Sequence, residues 1–346
     1  MSALRGLGVG SAGVVLTLSL AGLIVAALGA SPIEAYRLIV AGALGTPERV
    51  AYLLTAWAPI LLCAAGLLLT FAAGRWNIGV EGQVVVGAVF ATGTLRAFEH
   101  GLPPGIALGV AAVSAIVGGA LWALLAGGLR EYGNVSEIFG GLGLNFIAGS
   151  LTVYLVLGPW ARPGTASTSG TVPFDSAWWL PAIRPWSLAI PTEVLAGLGA
   201  TVAVLVALRG TRAGLELKAI GRSARAAYVQ GVPVARRVLW AFAGCGGLAG
   251  LAGFVLVTGA YSRHQLFPLI SGGYGFLAIL VVLLAAQNAG ASLVISAFFA
   301  LVSTGSLQLP LQMQLDSSMG GIIQGTLVLA VLLLRGLALR TASAKG

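Results

Sequence analysis

The chain reads as an all-α integral membrane protein, a polytopic bundle of about ten transmembrane helices. Three observations predict this. Charged residues make up only 8% of the 346 residues while 58% are hydrophobic, against about 25% charge in a soluble globular chain. Apolar runs recur at close to the ~20 residues that a helix needs to cross the hydrocarbon core. The runs lack the ~10-residue dyad alternation of an outer-membrane barrel. Residues 1–346 read as one membrane domain.

The elements follow in order. The first run, Val9–Ala30, has no small-residue cleavage site ahead of Ser31-Pro32 and reads as a retained span. A short amphipathic element follows it, and a second span covers about Ala51–Ala73. The polar, glycine-bearing stretch GRWNIGVEGQ, Gly74–Gln83, leads to a third apolar run, Val84–Leu95. Further spans are about Ile106–Leu129, Ile138–Leu157, Pro191–Leu208, Val238–Thr258, Gly272–Ala286, Ala289–Leu307 and Gly320–Leu334. Two long polar stretches interrupt them. Residues 159–190 hold four of the eight tryptophans, Trp160, Trp178, Trp179 and Trp186. Residues 209–237 hold six arginines and Lys218 against one acid, Glu216. Interfacial tryptophan belts and a partner-docking surface are both open for the first stretch.

Charge orients the bundle. If 209–237 is cytoplasmic and 159–190 external, thirteen of the 19 cations lie inside, with Arg5, Arg75, Arg130, Arg335, Arg340 and Lys345 joining the basic stretch. That agrees with the positive-inside rule and puts both termini in the cytoplasm. Five spans per half allow a 5+5 inverted repeat of the kind found in transporters. EAYRLIVAG after the first span loosely echoes AAYVQGVPV after the sixth. The net charge of +9 is spread over loop and terminal positions, which fits contact with membrane lipid and not nucleic acid.

No enzyme constellation is present in the sequence. His100 and His264 fall in separate loops, Cys63 and Cys245 lie in apolar spans, and HExxH, GxSxG and GxxxxGK[ST] are all absent. Without the last of these a P-loop enzyme cannot hold ATP, so any ATP is used by a partner chain. No metal site or directly bound cofactor is expected.

Polar residues within or between spans are the candidates for a substrate path. In Gly74–Gln83, Asn77 and Glu81 are four apart and share a helix face, with Gln83 close by. A carboxylate at membrane depth normally faces a cavity or a partner. A broken helix lining a path and a hydrated cytoplasmic turn are both compatible with this stretch. Asn145, Gln287 and Asn288 complete the set, because amides both donate and accept, as hydroxyls and base edges require. Some of these amides are expected to bond one helix to another instead, and Gln287-Asn288 also reads as a turn.

NIGVEGQ resembles the signature of the permease subunits of ABC importers for nucleosides and simple sugars, relatives of the ribose and branched-chain amino acid permeases. EIFGGLGLNFIA (Glu137–Ala148), GRSARAAYVQGVPVARR, GGLAGLAG, GYGFLAILVVLL (Gly273–Leu284) and SSMGGIIQGTLVL (Ser317–Leu329) are similar to further family blocks, in the family's order. The chain departs from the pattern at Trp76, where phenylalanine is usual, and at Leu277, where an acid is frequent. The resemblance implies a multi-pass protein of a bacterial-type inner membrane. It works with ABC ATPase subunits, an external substrate-binding protein and a second permease, for which a paralogue is expected. It also implies that residues 209–237 are a coupling segment with a short helix, about Ser223–Val229, bounded by Gly221 and Gly231–Pro233. In it Tyr228 anchors on the ATPase, Arg222 and Arg225 meet acidic groups, and Ala227 and Val232 complete the segment. A self-contained secondary transporter or channel for a small polar solute is the alternative. It needs ion-coupling carboxylates deep in the spans, and only Glu81 fits that need.

Overall fold

The computed structural model describes residues 18–99, 101–164, 169–185, 188–316 and 318–343. Arg5, His100, Trp186, Ser317, Lys345 and the first half of the expected span Val9–Ala30 lie outside the described residues. Two compact units divide the chain, Met1–Ala56 with Ala297–Gly346, and Trp57–Ser296. The described part is almost wholly helical. In order the helices are α1 (Leu18–Ala27), α2 (Pro32–Leu44), α3 (Pro47–Ala72), α4 (Val80–Phe98), α5 (Pro104–Glu131), α6 (Glu137–Leu157), α7 (Thr192–Gly210), α8 (Arg212–Arg222), α9 (Ala224–Val229), α10 (Val234–Thr258), α11 (Tyr274–Leu284), α12 (Ala289–Gly305), α13 (Gln308–Met313) and α14 (Met319–Ser343).

Among the described residues six stretches are long and apolar enough to cross a membrane: α3, α5, α6, α7, α10 and Ala289–Met313. A seventh arises if α1 and α2, which meet at 112°, count as one broken span. The bend has a local cause. Gly29 takes a left-handed φ of 79°, and Pro32 then restarts the helix at its first turn, where a missing N–H costs nothing. The count is below ten because α11 and the apolar part of α14 are short, and because α4 carries Glu81, Gln83 and Arg96. All the runs read from the sequence are helical where described, with ends shifted by a few residues.

In the first unit, α1, α2, α12, α13 and α14 share one apolar core built on Val25, Leu38, Val302, Leu309, Met319 and Ile323. Gln324 is buried in it and donates to the Phe299 carbonyl (3.0 Å) and the Ser303 hydroxyl (2.8 Å). This satisfies an amide that lipid or core would otherwise leave bare.

The centre of the second unit is α4, α5 and α10. Lipid tails are as apolar as leucine, so helices in a bilayer associate by close packing of small residues. The glycines of α10 permit it. A Cβ on Gly250 would lie 2.1 Å from the Ala115 carbonyl oxygen of α5. At one end of this unit ion pairs tie the connections together: Arg75 to Glu131 (2.8 Å) and Arg130 to Glu137 (2.9 Å). Arg75 is therefore paired. Glu137 also sits in the first turn of α6, where the helix dipole favours a carboxylate.

The other end is closed by residues 158–191. A 3-10 turn, Ser176–Trp178, and a two-residue antiparallel pair, β1 (Ala182–Ile183) with β2 (Ile190–Pro191), are its only regular elements among the described residues. The segment folds onto the α10–α11 connection. Thr171 N–H donates to Leu266 O (2.8 Å), Phe174 N–H to His264 O (2.8 Å) and Leu180 N–H to Thr258 O (2.7 Å). Trp178 is buried, and Trp179 stacks on His264 with ring centroids 3.8 Å apart. These two tryptophans hold the segment down.

Burial of the His264 ring lowers its pKa to about 4. The native segment therefore stays neutral where the released one, near 6.5, takes up a proton. Stability from this source is complete above about pH 6.5 and is lost as pH falls toward 4. The thermal midpoint of the purified protein should drop across that window, and His264→Gln should flatten the drop.

Candidate functional site

Two neighbouring features of the second unit carry the functional reading. The first is the break between α3 and α4. α3 stops at Ala72, Gly74 turns the chain at φ 68°, and α4 starts at Val80. Asn77, within the break, and Gln83, in the first turn of α4, form a reciprocal amide pair, each Nδ2 or Nε2 donating to the other's oxygen at 3.0 Å. Asn77 Nδ2 also reaches Cys245 Sγ at 3.1 Å. Cys245 is near the middle of α10, roughly 16 Å from its Val234 end at the helical rise. Both amides are buried. Asn145, from α6, accepts from Gly82 N–H (2.8 Å) and donates to the Ile78 carbonyl (3.0 Å). The break is thus stitched on two sides to neighbouring helices, and two of the backbone groups freed by interrupting a helix, Gly82 N–H and Ile78 C=O, are met by Asn145.

Glu81 completes the cluster. Its carboxylate accepts from Ser271 Oγ (2.5 Å), Gly273 N–H (3.1 Å) and Gly275 N–H (2.8 Å). These donors are the N-terminus of α11, whose first N–H groups have no partner in their own helix. The approach requires glycine: a Cβ on Gly275 would lie 2.6 Å from Glu81 Oε2. Hydrogen bonds to a charged group, each worth about 1.5–3 kcal/mol, counter part of the cost of burying this carboxylate.

Four of the six path candidates, Asn77, Glu81, Gln83 and Asn145, therefore come together, mutually bonded or bonded to the same break. Gln287 and Asn288 stand apart from them. Both are exposed in the α11–α12 connection, Gln287 at φ 60°, and Asn288 Oδ1 caps α12 by accepting from Gly290 N–H (2.9 Å) and Ala291 N–H (3.1 Å).

The second feature is the basic stretch 209–237. It is mostly helix. α8 buries Gly214, Glu216, Leu217 and Ile220 on one face. Glu216 accepts from both Arg212 (2.9 Å) and Arg237, and the bond from Arg237 leads in holding its pKa below the usual carboxylate value.

α9 has only six residues, too few to hold a helix alone in water, yet it is capped at both ends. Ser223 Oγ accepts from Ala226 N–H (3.2 Å). At the other end Val232 N–H donates to Ala227 O (3.0 Å) and Gly231 N–H to Tyr228 O (2.9 Å), the Schellman pattern, with Gly231 at φ 82°. Ala227 and Val232 pack beneath it in an apolar cluster with Ala73, Leu144, Leu217 and Phe242.

The outer face of α9 differs. Tyr228 is 71% exposed and Val229 79%, and Arg222 and Arg225 are exposed beside them. Gly221 links the two features: a Cβ there would lie 2.3 Å from the Ala72 carbonyl, at the lip of the break. Val229 was not among the residues singled out from sequence. The signal available was its place as the second large apolar residue at the end of a capped helix.

Among the described residues no three His, Cys, Asp or Glu side chains converge as a metal site. A multi-pass helical membrane protein with a buried polar break and a rigid, exposed, basic-flanked helix is the architecture of a transport component. Residues 49–332 match the family described as "Branched-chain amino acid transport system / permease component", and the chain belongs to that permease family. It is 30% identical to a glucose ABC transporter permease protein (TsgB13) of Haloferax volcanii, over 91% of this chain and 84% of that one. It is 26% identical to the guanosine ABC transporter permease protein NupP of Bacillus subtilis, over 92% and 90%. A nucleoside ABC transporter permease protein of Lactococcus lactis (NupB) is 24% identical, over 83% and 80%.

Proposed function

We propose that this chain forms the translocation path of an ABC importer for a nucleoside or related simple sugar. The substrate is handed over by an external binding protein, and ATP is hydrolysed by separate subunits docked on α9. One observation carries this reading: α9 is capped and exposed on one face, while its buried face shares an apolar cluster with Ala73, and Gly221 abuts the Ala72 carbonyl at the edge of the polar break. A push on Tyr228 and Val229 is thereby delivered to the segment holding Asn77, Glu81 and Gln83. In this reading Asn77, Glu81, Gln83 and Asn145 form a collar at the bilayer midplane, shaping the path through the backbone they fix. Gln287 and Asn288 lie at its cytoplasmic mouth.

The orientation proposed is the one charge favours, with α8 and α9 cytoplasmic and residues 159–190 external, in a bacterial-type inner membrane. Ten spans with both termini inside, arranged as 5+5, accommodate the helices: α1, α3–α7, α10–α12 and α14. The second permease is a paralogue, as the two-permease logic of the resemblance implies.

The test is uptake by the complex purified from its native membrane, with its ATPase and binding protein, reconstituted in liposomes. Radiolabelled guanosine, another nucleoside and glucose are compared with ATP inside or absent. ATP-dependent accumulation of one of these is expected. Accumulation by the chain alone without ATP would overturn the importer in favour of a secondary transporter. ATP-dependent transport of none of the three would remove the substrate class.

A further inference from the structure

Thr211 turns the chain from α7 into α8. Its hydroxyl donates to the Ala207 carbonyl (2.6 Å) and accepts from Gly214 N–H (3.1 Å). The elbow leaves an open cleft of about 150 Å³ against α10, lined among others by Leu69, Leu208, Leu217, Trp240, Ala241 and Arg237. The cleft is apolar except on the Arg237 side. There Arg237 and Arg212 share the single carboxylate of Glu216, which leaves one cation uncompensated. Trp240 is 63% exposed one turn from Arg237, the amphipathic ring and cation pairing found where a helix meets the headgroups.

The volume limits the occupant. Small-molecule sites are roughly 300 Å³ or more, so this cleft takes part of a longer molecule. A peptide would bring backbone N–H and C=O groups that an apolar wall cannot satisfy. An acyl chain brings none, and a phosphate at its head meets the surplus guanidinium. We propose that the cleft is a site for an anionic phospholipid of the leaflet at α8. One acyl chain lies along Trp240, and the phosphate sits on the Arg212–Glu216–Arg237 cluster. Such a lipid would fill the wedge between the helix carrying the basic stretch and α10, and so set the pose of α8 and α9.

The experiment uses the assembled complex in nanodiscs of one fixed mixture of phosphatidylglycerol and phosphatidylcholine, with bromine on the acyl chains of one lipid or of the other. The Trp240 signal is the difference between the native protein and Trp240→Phe. Bromine on phosphatidylglycerol should quench Trp240 with an apparent preference of about five-fold over phosphatidylcholine, the size expected for one surplus cation near the surface. Arg212→Gln, at a side chain 91% exposed, should abolish the preference while quenching persists. Ala213→Phe, from an exposed position on the cleft wall, should reduce quenching by both lipids. Equal quenching by the two lipids in the native protein would make the cleft ordinary annular surface and overturn the site. No quenching by either would mean that another subunit covers it, and would overturn the site equally.

Discussion

Tyr228→Asp should strip the permease of its ATPase. Tyr228 and Val229 stand out exposed from α9, and the helix beneath is fixed by Ser223 and Gly231. An aromatic anchor entering a desolvated pocket is worth about 2–4 kcal/mol, which is roughly 30- to 1,000-fold in affinity. A carboxylate there also reverses the sign of a face flanked by Arg222 and Arg225. Co-purification of the ATPase, and substrate-stimulated hydrolysis, should both fall by at least tenfold. The membrane fold should survive, because the residues that hold α9 to the core are Ala227 and Val232. Arg225→Glu should act in the same direction but more weakly and with strong salt dependence, as a rim charge does. If Tyr228→Asp and Val229→Asp both leave stimulated hydrolysis unchanged, α9 is not the docking element.

Much of this architecture is legible in the chain because membrane spans announce themselves by composition. The run Val238–Thr258 lies within the helix Val234–Thr258, and Ile138–Leu157 within Glu137–Leu157. α9 is placed by the family resemblance, at about Ser223–Val229 against the observed Ala224–Val229. α8 is not, because Leu217 and Ile220 are sparse among charges and the stretch reads as a hydrated loop. The roles of the polar residues at the break are hidden for another reason. Glu81 bonds to residues some 190 positions away, and Asn77 to Cys245. No local pattern links such residues. For the same reason Trp178 and Trp179 read from sequence as surface aromatics, although a partner about 85 residues on, His264, turns Trp179 into a fastener of residues 158–191.

Glu81→Ala should have the largest effect on transport itself. The carboxylate meets three donors at the start of α11, and alanine would leave Ser271 and the N–H groups of Gly273 and Gly275 bare in a part-buried site. Each buried donor left unmet costs about 1–3 kcal/mol, so a loss on the order of 3 kcal/mol or more is expected, felt first as release of α11 from α4. Water has little room to substitute, because the glycine at 275 lets the two backbones approach closely. Glu81→Gln keeps one accepting oxygen but points an amide N–H at donors, so it should recover only part of the function. Two measurements separate a positioning role from general instability. Uptake should fall by more than tenfold while ATPase co-purification, assigned to α9 in the proposed docking, stays within about two-fold of native. A lower thermal midpoint should accompany it, with the Glu81→Gln protein between native and alanine. A second arm tests depth. If a cysteine at position 81 reacts with a cytoplasmic, membrane-impermeant thiol reagent throughout the ATP cycle, the break is a hydrated turn and the collar at the midplane falls. If it reacts only in one nucleotide state, the break opens and closes with the ATPase, as a rigid link from α9 through Ala73 and Gly221 requires.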